Sequence, residues 1–525
     1  VRIPLMICAL MASFPSFSNC LTVTEGKEIT GQFDNDTLCF TTHLERERYA
    51  ELNVKGIQNL RLETQDGKHL RSLLKEVPTD GKQKVRFLLP ETAIYQLIAQ
   101  GEVGKPWQLT LTTQPYQPLD KDAEIALTSP RLQTLAKQLN QQNIQAFWQQ
   151  VRHEGTPLIE PYDKDKKLVT FLWQGAKKNV YLLGSPDGNH DPLTHLANSD
   201  IWYRSYIVPN DTLMQYKLAP DVPIIENVEP FEQRRAILTT AQADPFNPHN
   251  SPSQFEDIYN HFSLLSLDRQ RECQLPDILN RTMKGKTEIV RFHSEILNND
   301  REIALYLPAQ KMETPRILVL FDGQTYRRQY GIDRFFDKQI EEGKLAPIMI
   351  LFVDSIDSDR RSVELPPNPD FYRFLADELF VWLEKEKGIH VSGEETMVSG
   401  SSYGGLASSW VAFNRPDRFG KVLSMSGSYW WAPENEEPEW LIRQFEQADK
   451  KPLQFFLEAG LFESRGDKGG ILNNNRHLKQ VLEQKGYPVK SLEMASGHDY
   501  ISWCETLYLG VKALTQENDE FKILP

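Results

Sequence analysis

Short apolar runs separated by turn residues fill the first hundred positions. Glu28-Ile29-Thr30, Leu52-Asn53-Val54, Leu60-Arg61-Leu62, Lys84 to Leu88, Ile94 to Ile98 and Trp107 to Leu111 mix apolar and polar side chains over strand-length stretches, with turn signals every ten residues or so. Many short strands at such spacing predict a β-sandwich, here over residues 19–113. Gln114-Pro115-Tyr116-Gln117-Pro118 reads as a linker. Ser129-Pro130 then joins an N-cap hydroxyl to a proline at the first helical position, and Leu132, Leu135 and Leu139 share one face of the helix that follows. Strand patterns return from Val169, through Val180-Tyr181-Leu182-Leu183 and Ile201-Trp202-Tyr203, and predict a second β-sandwich domain over 129–250. Asn247-Pro248-His249-Asn250-Ser251-Pro252 ends it, and a further domain is expected over 285–525.

In that last stretch Gly400-Ser401-Ser402-Tyr403-Gly404 spells G-x-S-x-G between an apolar run, Met397-Val398, and a helix-like segment from Gly405 to Asn414. Strand, sharp turn and helix around this pattern form the nucleophile elbow of an α/β-hydrolase, in which tight backbone geometry holds the serine hydroxyl above the sheet edge. The two glycines are expected to be needed because bulk beside Ser402 would clash. A serine nucleophile requires a base and an acid later in the chain, in the order Ser, Asp or Glu, His. Leu453 to Leu457 reads as a buried strand and opens into a loop holding Glu458, Glu463 and Asp467. After an amphipathic helix (Leu478, Val481, Leu482) and an alternating strand from Val489 to Met494 comes Ser496-Gly497-His498-Asp499. His498 is placed as the general base. Glu463 is preferred as the acid, with Asp467 second and Glu458 read as structural, since Glu463 sits far enough past the strand end to turn back toward the imidazole. The oxyanion hole needs backbone N–H groups, one from Tyr403 and one from Gln324 or Gly323 in the loop after the apolar strand Arg316 to Phe321.

Trp430 and Trp431 follow the strand after the elbow, and Arg360-Arg361 follow the strand Ile348 to Val353. Loops at the carboxyl ends of strands reach the active-site face of an α/β sheet, so these rings and cations are candidates to meet substrate.

From about Phe147 to Pro525 the chain resembles the enterochelin (enterobactin) esterases. The matching stretches are Phe147-Trp148 with Glu154 to Leu158, Val169 to Trp173, Ala243 to Pro248, Leu320 to Gln324, and Arg361 with Glu364-Leu365-Pro366. They continue through Ser402 to Leu406, Arg418-Phe419-Gly420, Ser424 to Trp431, Leu457 to Gly460, and Gly497-His498-Asp499 with Trp503. Ser496 departs from the pattern, standing where the family has glycine. The resemblance implies a multidomain protein whose α/β-hydrolase catalytic domain, 285–525, follows two β-sandwich domains. It implies a serine esterase cleaving the trilactone of a catecholate siderophore without a cofactor of its own, any iron arriving with the substrate. A ferric catecholate is a flat-faced aromatic trianion, which gives Arg361, at the matched position, and Trp430 and Trp431 their expected roles. An esterase of the same fold acting on carbohydrate-linked or other acyl esters is an alternative, as is a non-catalytic siderophore-binding protein.

Composition narrows the partners. The 525 residues are 40% hydrophobic and 25% charged, ordinary for a globular protein, and the formal charge of −13 argues against nucleic acid or an anionic membrane surface as a general partner. Arg2 precedes an apolar stretch, Ile3 to Phe14, too short to span a bilayer, and Ser16-Phe17-Ser18 supplies small residues for cleavage. Residues 1–18 therefore read as a secretory signal, no later segment reads as membrane-inserted, and the expected location is the periplasm. Of five cysteines, Cys20 and Cys39 are a candidate pair in an oxidising compartment. Cys273 and Cys504 show no metal-ligand spacing, and neither C-x-x-C nor H-E-x-x-H occurs, so no protein-held metal is predicted.

Overall fold

The computed structural model describes residues 20–515 apart from 47, 76, 78–81, 90, 119–124, 226–232, 234–235, 251–256, 268–272, 274–277 and 466–469. The predicted signal and Asp467 lie outside the described residues. The chain divides into two compact units, Val1–Tyr116 and Gln117–Pro525.

In the first unit, a five-stranded sheet orders Leu21–Thr22, Thr37–Leu44, Ala93–Gln100, Asn59–Thr64 and His69–Leu74 side by side. A four-stranded sheet orders Ile29–Gln32, Pro106–Pro115, Arg48–Lys55 and Lys82–Leu88. Alternation sends Phe40 and Leu97 from one sheet and Leu52, Phe87 and Leu109 from the other into a single apolar core. Cys20 and Cys39 are disulfide-bonded.

The second unit opens with two helices. Ser129 caps Pro130–Lys137 by accepting from the N–H of Leu132, and Asn140 caps Gln141–Glu154 in the same way through Asn143. The first helix stops at Gln138, so Leu139 falls in the connection rather than on the helix face the spacing suggested. Two four-stranded sheets follow. Leu158–Pro161, Lys166–Gln174, Ile201–Pro209 and Thr194–His195 form one, and His190–Pro192, Val180–Leu183, Leu213–Pro220 and Ser263–Ser266 form the other.

Gln117–Pro118 and Pro223–Ile224 make a two-stranded ladder, and the remainder of the unit is built on one eight-stranded sheet. Its strands are β1 (Lys286–Ser294), β2 (Asn299–Leu307), β3 (Ile317–Phe321), β4 (Met349–Val353), β5 (Thr396–Ser401), β6 (Lys421–Met425), β7 (Gln454–Gly460) and β8 (Val489–Met494), in the order β1-β2-β4-β3-β5-β6-β7-β8. β1 and β2 pair antiparallel, β2 pairs antiparallel with β4, and the remaining neighbours are parallel. Helices α1 (Ile332–Glu341), α2 (Tyr403–Asn414), α3 (Gly470–Gln484) and α4 (Tyr500–Thr515) lie among the crossovers and the final segment. β3 is buried on both faces: Ile317, Val319 and Phe321 join one apolar cluster, Leu318 and Leu320 the other. From β3 the chain steps to β4 on one side and then to β5 on the other. That reversal is a topological switch point, the place beside which open α/β sheets bind their ligands.

Cys273, on the connection between Ser263–Ser266 and β1, is disulfide-bonded to Cys504 on α4 across a separation of 231 residues. Sequence spacing gave no hint of this pairing, because nothing local brings the two together.

Candidate active site

β5 ends at Ser401 and α2 begins at Tyr403, which leaves Ser402 alone to make the turn at φ 59° and ψ −119°. A non-glycine residue at positive φ is strained, and surrounding bonds hold it there. The Ser402 N–H donates to the carbonyl of Met425 at 2.9 Å, while its own carbonyl accepts from Leu406 and Ser428 at 3.1 Å each. The two motif glycines differ in their reasons. A Cβ on Gly400 would stand 2.8 Å from the backbone of Gly404, whereas one on Gly404 would meet nothing nearer than 3.7 Å. The residue that cannot carry a Cβ on the helical side is Gly405, where it would lie 2.6 Å from Ser424 Oγ and 2.9 Å from Gly427 Cα. Bulk is thus excluded at 400 and 405, while the second motif glycine matters for what approaches it from the opposite side.

The loops after β7 and β8 bring Glu463 and His498 together. His498 Nδ1 lies 2.5 Å from Glu463 Oε1. The other carboxylate oxygen, Oε2, accepts from Ser426 Oγ and from the N–H of Gly460, each at 2.7 Å. With Nδ1–H committed to the carboxylate, Nε2 is left as the acceptor, the tautomer a general base requires. Glu463 is buried, while the His498 side chain is 39% exposed and reachable by substrate. The Ser402 hydroxyl pairs with Ser428 Oγ at 3.3 Å rather than with the imidazole. Such looseness is common before substrate binds.

Glu458, expected at the start of the loop, lies within β7, the last residue there in register with β6, opposite Met425. Burial, reinforced by the neighbouring Glu463 and Asp499 carboxyls, pushes its carboxyl well above the ordinary range. Burial thus disfavours its charged form, next to the Glu463–His498 contact.

Both loops are anchored in the preceding pair of sheets. Phe462 and Ala495 belong to the same buried cluster as Phe171, Leu182, Tyr216 and Leu218. Leu213 N–H donates to the carbonyl of Ala495 at 3.0 Å, and Gln215 N–H to Asp499 Oδ2 at 3.3 Å. The segments flanking His498 and Glu463 are therefore seated on a second folded body.

After β3, Asp322 turns at φ 54° and is followed by Gly323, where a Cβ would lie 2.7 Å from Asp354 Oδ1 and from Phe352 Cβ. Glycine lets the loop sink against β4. Gln324 Oε1 accepts from the N–H of Ser355 at 2.9 Å, which pins the loop's far side. β3 and β5 are direct neighbours, with Leu320 opposite Ser399, so this loop and the start of α2 flank one crevice. The first N–H groups of α2, Tyr403's among them, have no acceptor within the helix and point toward anything negative at its N-terminus.

The expected cations and rings separate. Arg360 is exposed. Arg361 instead makes a two-pronged ion pair with Asp322, Nε to Oδ1 and Nη2 to Oδ2, both at 2.7 Å. Burial works against the guanidinium's charge, and the Asp322 carboxylate more than offsets it, so its pKa is raised. Trp430 is exposed and lies 5.9 Å from the ring of Tyr403, beside the elbow. Trp431 packs against the core and meets Trp440 edge-on at 6.2 Å.

Sequence reasoning did not assign roles to Ser426 and Ser428, which touch Glu463 and Ser402. The signal was present in Ser424-Met425-Ser426-Gly427-Ser428, where polar side chains continue past a buried strand into a buried loop and need partners. Among the described residues there is no group of three or more His, Cys, Asp or Glu placed to hold a metal, and no helix long and apolar enough to cross a membrane.

Two family profiles match the second unit: the N-terminal domain of enterochelin esterase over residues 168–272, and the Esterase family over 294–514. The chain is 30% identical over 417 residues to the iron(III) enterobactin esterase of Dickeya dadantii, covering 71% of this chain and 94% of that one. It is 25% identical to the iron(III) salmochelin esterase of Escherichia coli, covering 71% and 94%. Among solved structures, the enterobactin esterase of Shigella flexneri crystallised in the presence of enterobactin superposes with a TM-score of 0.58 at 23% identity, covering 70% of this chain and 97% of that one. The ferric enterobactin esterase of Salmonella typhimurium gives 0.57 at 24%, covering 70% and 98%.

Proposed function

The chain belongs to the iron(III) enterobactin esterase family, and from that premise we propose that it hydrolyses the trilactone ester bonds of ferric or apo enterobactin-like catecholate siderophores. The observation that carries the serine mechanism is the pairing of His498 Nδ1 with Glu463 Oε1 beside an elbow whose only positive-φ residue is Ser402. Ser402 attacks a lactone carbonyl while His498 takes its proton. The oxyanion is met by the N–H groups of Tyr403 and of Gln324 or Gly323. His498 returns the proton to the leaving alkoxide, and water then releases the acyl group by the same route in reverse. Glu463 keeps the imidazole in the required tautomer and offsets its positive charge. Trp430 offers an exposed face on which a catechol ring can stack. Arg361, expected to meet substrate, has its fork on Asp322 and acts in this reading by fixing the loop that carries Gln324.

We read the sheet pair expected over 19–113 and the one expected over 129–250, which runs on past that bound to Ser263–Ser266, as β-sandwich domains ahead of a catalytic domain over 285–525, the second seating the loops of Glu463 and His498. The proposed location is the periplasm, supported by the signal-like residues 1–18 and by two disulfides, which persist in oxidising compartments. Incubating the purified protein with ferric enterobactin and with simple acyl esters, and identifying products by mass, tests the activity. Release of dihydroxybenzoyl-serine units is expected. Cleavage of the simple esters alone would favour the carbohydrate-ester alternative, and no cleavage of either the binding-protein one.

A further inference from the structure

Ser426 has φ 46°, a conformation that costs a serine more than a glycine. Gly427 follows it immediately, so the chain places a glycine next door and still keeps a hydroxyl at the strained position. What serine adds there is one O–H group, fully buried. That group lies 2.7 Å from Glu463 Oε2 and 2.9 Å from Trp503 Nε1. Its orientation follows from chemistry: an indole N–H only donates and an ionised carboxylate only accepts, so the Ser426 hydrogen points at Glu463 and its lone pair faces Trp503. The Trp503 ring stands at right angles to the His498 imidazole, centroids 4.7 Å apart, and His498 closes the circuit on Glu463 Oε1. The backbone of Ser426 is held in turn, its N–H donating to the carbonyl of Glu458 at 2.7 Å.

We propose that Ser426 and Trp503 are positioning residues that close a four-membered ring, Glu463–Ser426–Trp503–His498, which fixes both the rotation of the carboxylate and the plane of the imidazole. The proposal rests on the Ser402–His498–Glu463 reading above. Two donors on Oε2 leave Oε1 as the oxygen for Nδ1–H, and the perpendicular indole ring stops the imidazole from swinging away while Nε2 waits for the Ser402 proton.

Ser426→Ala, Ser426→Gly and Trp503→Phe, made in the full-length protein, test it with ferric enterobactin and p-nitrophenyl butyrate as substrates. The expected result is a 10- to 100-fold fall in kcat on both substrates with KM within about threefold of wild type, and an acid limb of the kcat/KM profile displaced to higher pH. Ser426→Gly relieves the backbone strain and is expected to melt no lower than wild type while losing activity, which a purely structural role does not predict. In a Glu463→Gln background, Ser426→Ala is expected to change kcat by less than about twofold, because the ring is already broken. Wild-type kcat and pH profile in Ser426→Gly, or an undiminished effect in the Glu463→Gln background, overturns the ring. Failure of the underlying triad reads out separately, as turnover by Ser402→Ala or absence of Ser402 labelling by a fluorophosphonate.

Discussion

Arg361 and Asp322 are locked fork to fork, with the carboxylate buried, so the cation that sequence position offers to substrate is first of all the partner of a buried charge. Asp322 also accepts from Ser355 Oγ at 2.8 Å and directly precedes Gly323 and Gln324. Arg361→Ala leaves an uncompensated carboxylate and should destabilise the protein by about 3 kcal/mol. Hydrolysis of ferric siderophore and of a neutral aryl ester should fall together, since the loop rather than a substrate contact is lost. Asp322→Asn combined with Arg361→Met should restore most of the stability. Kinetics on both substrates and urea melts decide the matter, and a loss confined to the ferric siderophore would place the guanidinium on substrate instead.

The strain at Ser402 sets stability against activity. Ser402→Gly removes the positive-φ penalty and should raise unfolding stability by about 1 kcal/mol. Ser402→Ala keeps the strain and should melt close to wild type. Both should lower turnover by roughly a million-fold, as expected for loss of a triad nucleophile. Near-normal hydrolysis by either folded variant would sink the mechanism.

Glu463 and Glu458 lie three residues beyond and two residues before Gly460, and of the two it is Glu463 that pairs with the His498 imidazole. Glu463→Gln cannot offset the imidazolium and should cut kcat by roughly 10⁴-fold, the scale seen when a triad acid becomes an amide. Burial disfavours a charge on Glu458, so Glu458→Gln, an uncharged amide of the same shape, should leave kcat within a few-fold. Burial raises the Glu458 pKa, so the folded protein holds that proton more tightly than the unfolded chain does. Wild type therefore loses stability as pH climbs above the ordinary glutamate range, and Glu458→Gln should melt increasingly above wild type toward alkaline pH. Equal kcat losses in the two variants would mean that Glu458 carries charge in catalysis.

What the sequence revealed and what it hid follow from range. The Ser402 turn is written in five consecutive residues, because its strain and its close backbone approach are local. His498 and Glu463 were placed by chain order after strands, which the fold enforces at a distance. The binding of Arg361 by Asp322, the split fates of Trp430 and Trp431, and the Cys273–Cys504 bond depend on side chains from separate segments meeting in space. Neighbouring tryptophans share no face once the chain turns, so Trp430 is exposed while Trp431 packs inward. No periodicity reports such meetings. The Ser426 hydroxyl is intermediate, since a buried polar residue signals that a partner exists without naming it.

Asp354 stands behind Gly323, and burial pushes its pKa to about 7, against the pull of Arg327, Arg328 and Arg301. An acid whose folded-state pKa is raised from 3.8 costs nothing below that value. The cost grows between pH 4 and 7 and is complete above 7, where it reaches on the order of 4 kcal/mol. Asp354→Asn should therefore be near wild type in stability at pH 4 and progressively more stable than wild type up to pH 8. Thermal melts across that range measure it, and a constant difference between the two proteins would show that Asp354 does not titrate on folding.

Cys273–Cys504 closes a loop of 231 residues and holds α4, the helix that follows His498 and carries Trp503, to the connection leading into β1. Cys273 N–H also donates to Glu505 Oε2 at 2.9 Å, a second tie to α4 beside the bond. Long loops gain most from closure, and its removal should cost on the order of 3 to 5 kcal/mol. The double variant Cys273→Ser/Cys504→Ser, which leaves no unpaired thiol, should melt several degrees lower and lose esterase activity at a correspondingly lower temperature. Cys20–Cys39 closes a far shorter loop, 19 residues, inside the other compact unit. Its serine double variant should leave the temperature at which hydrolysis fails unchanged. Activity half-lives on heating, read alongside melting curves for both variants, separate the two bonds. Equal loss of activity from either would mean that the units unfold as one.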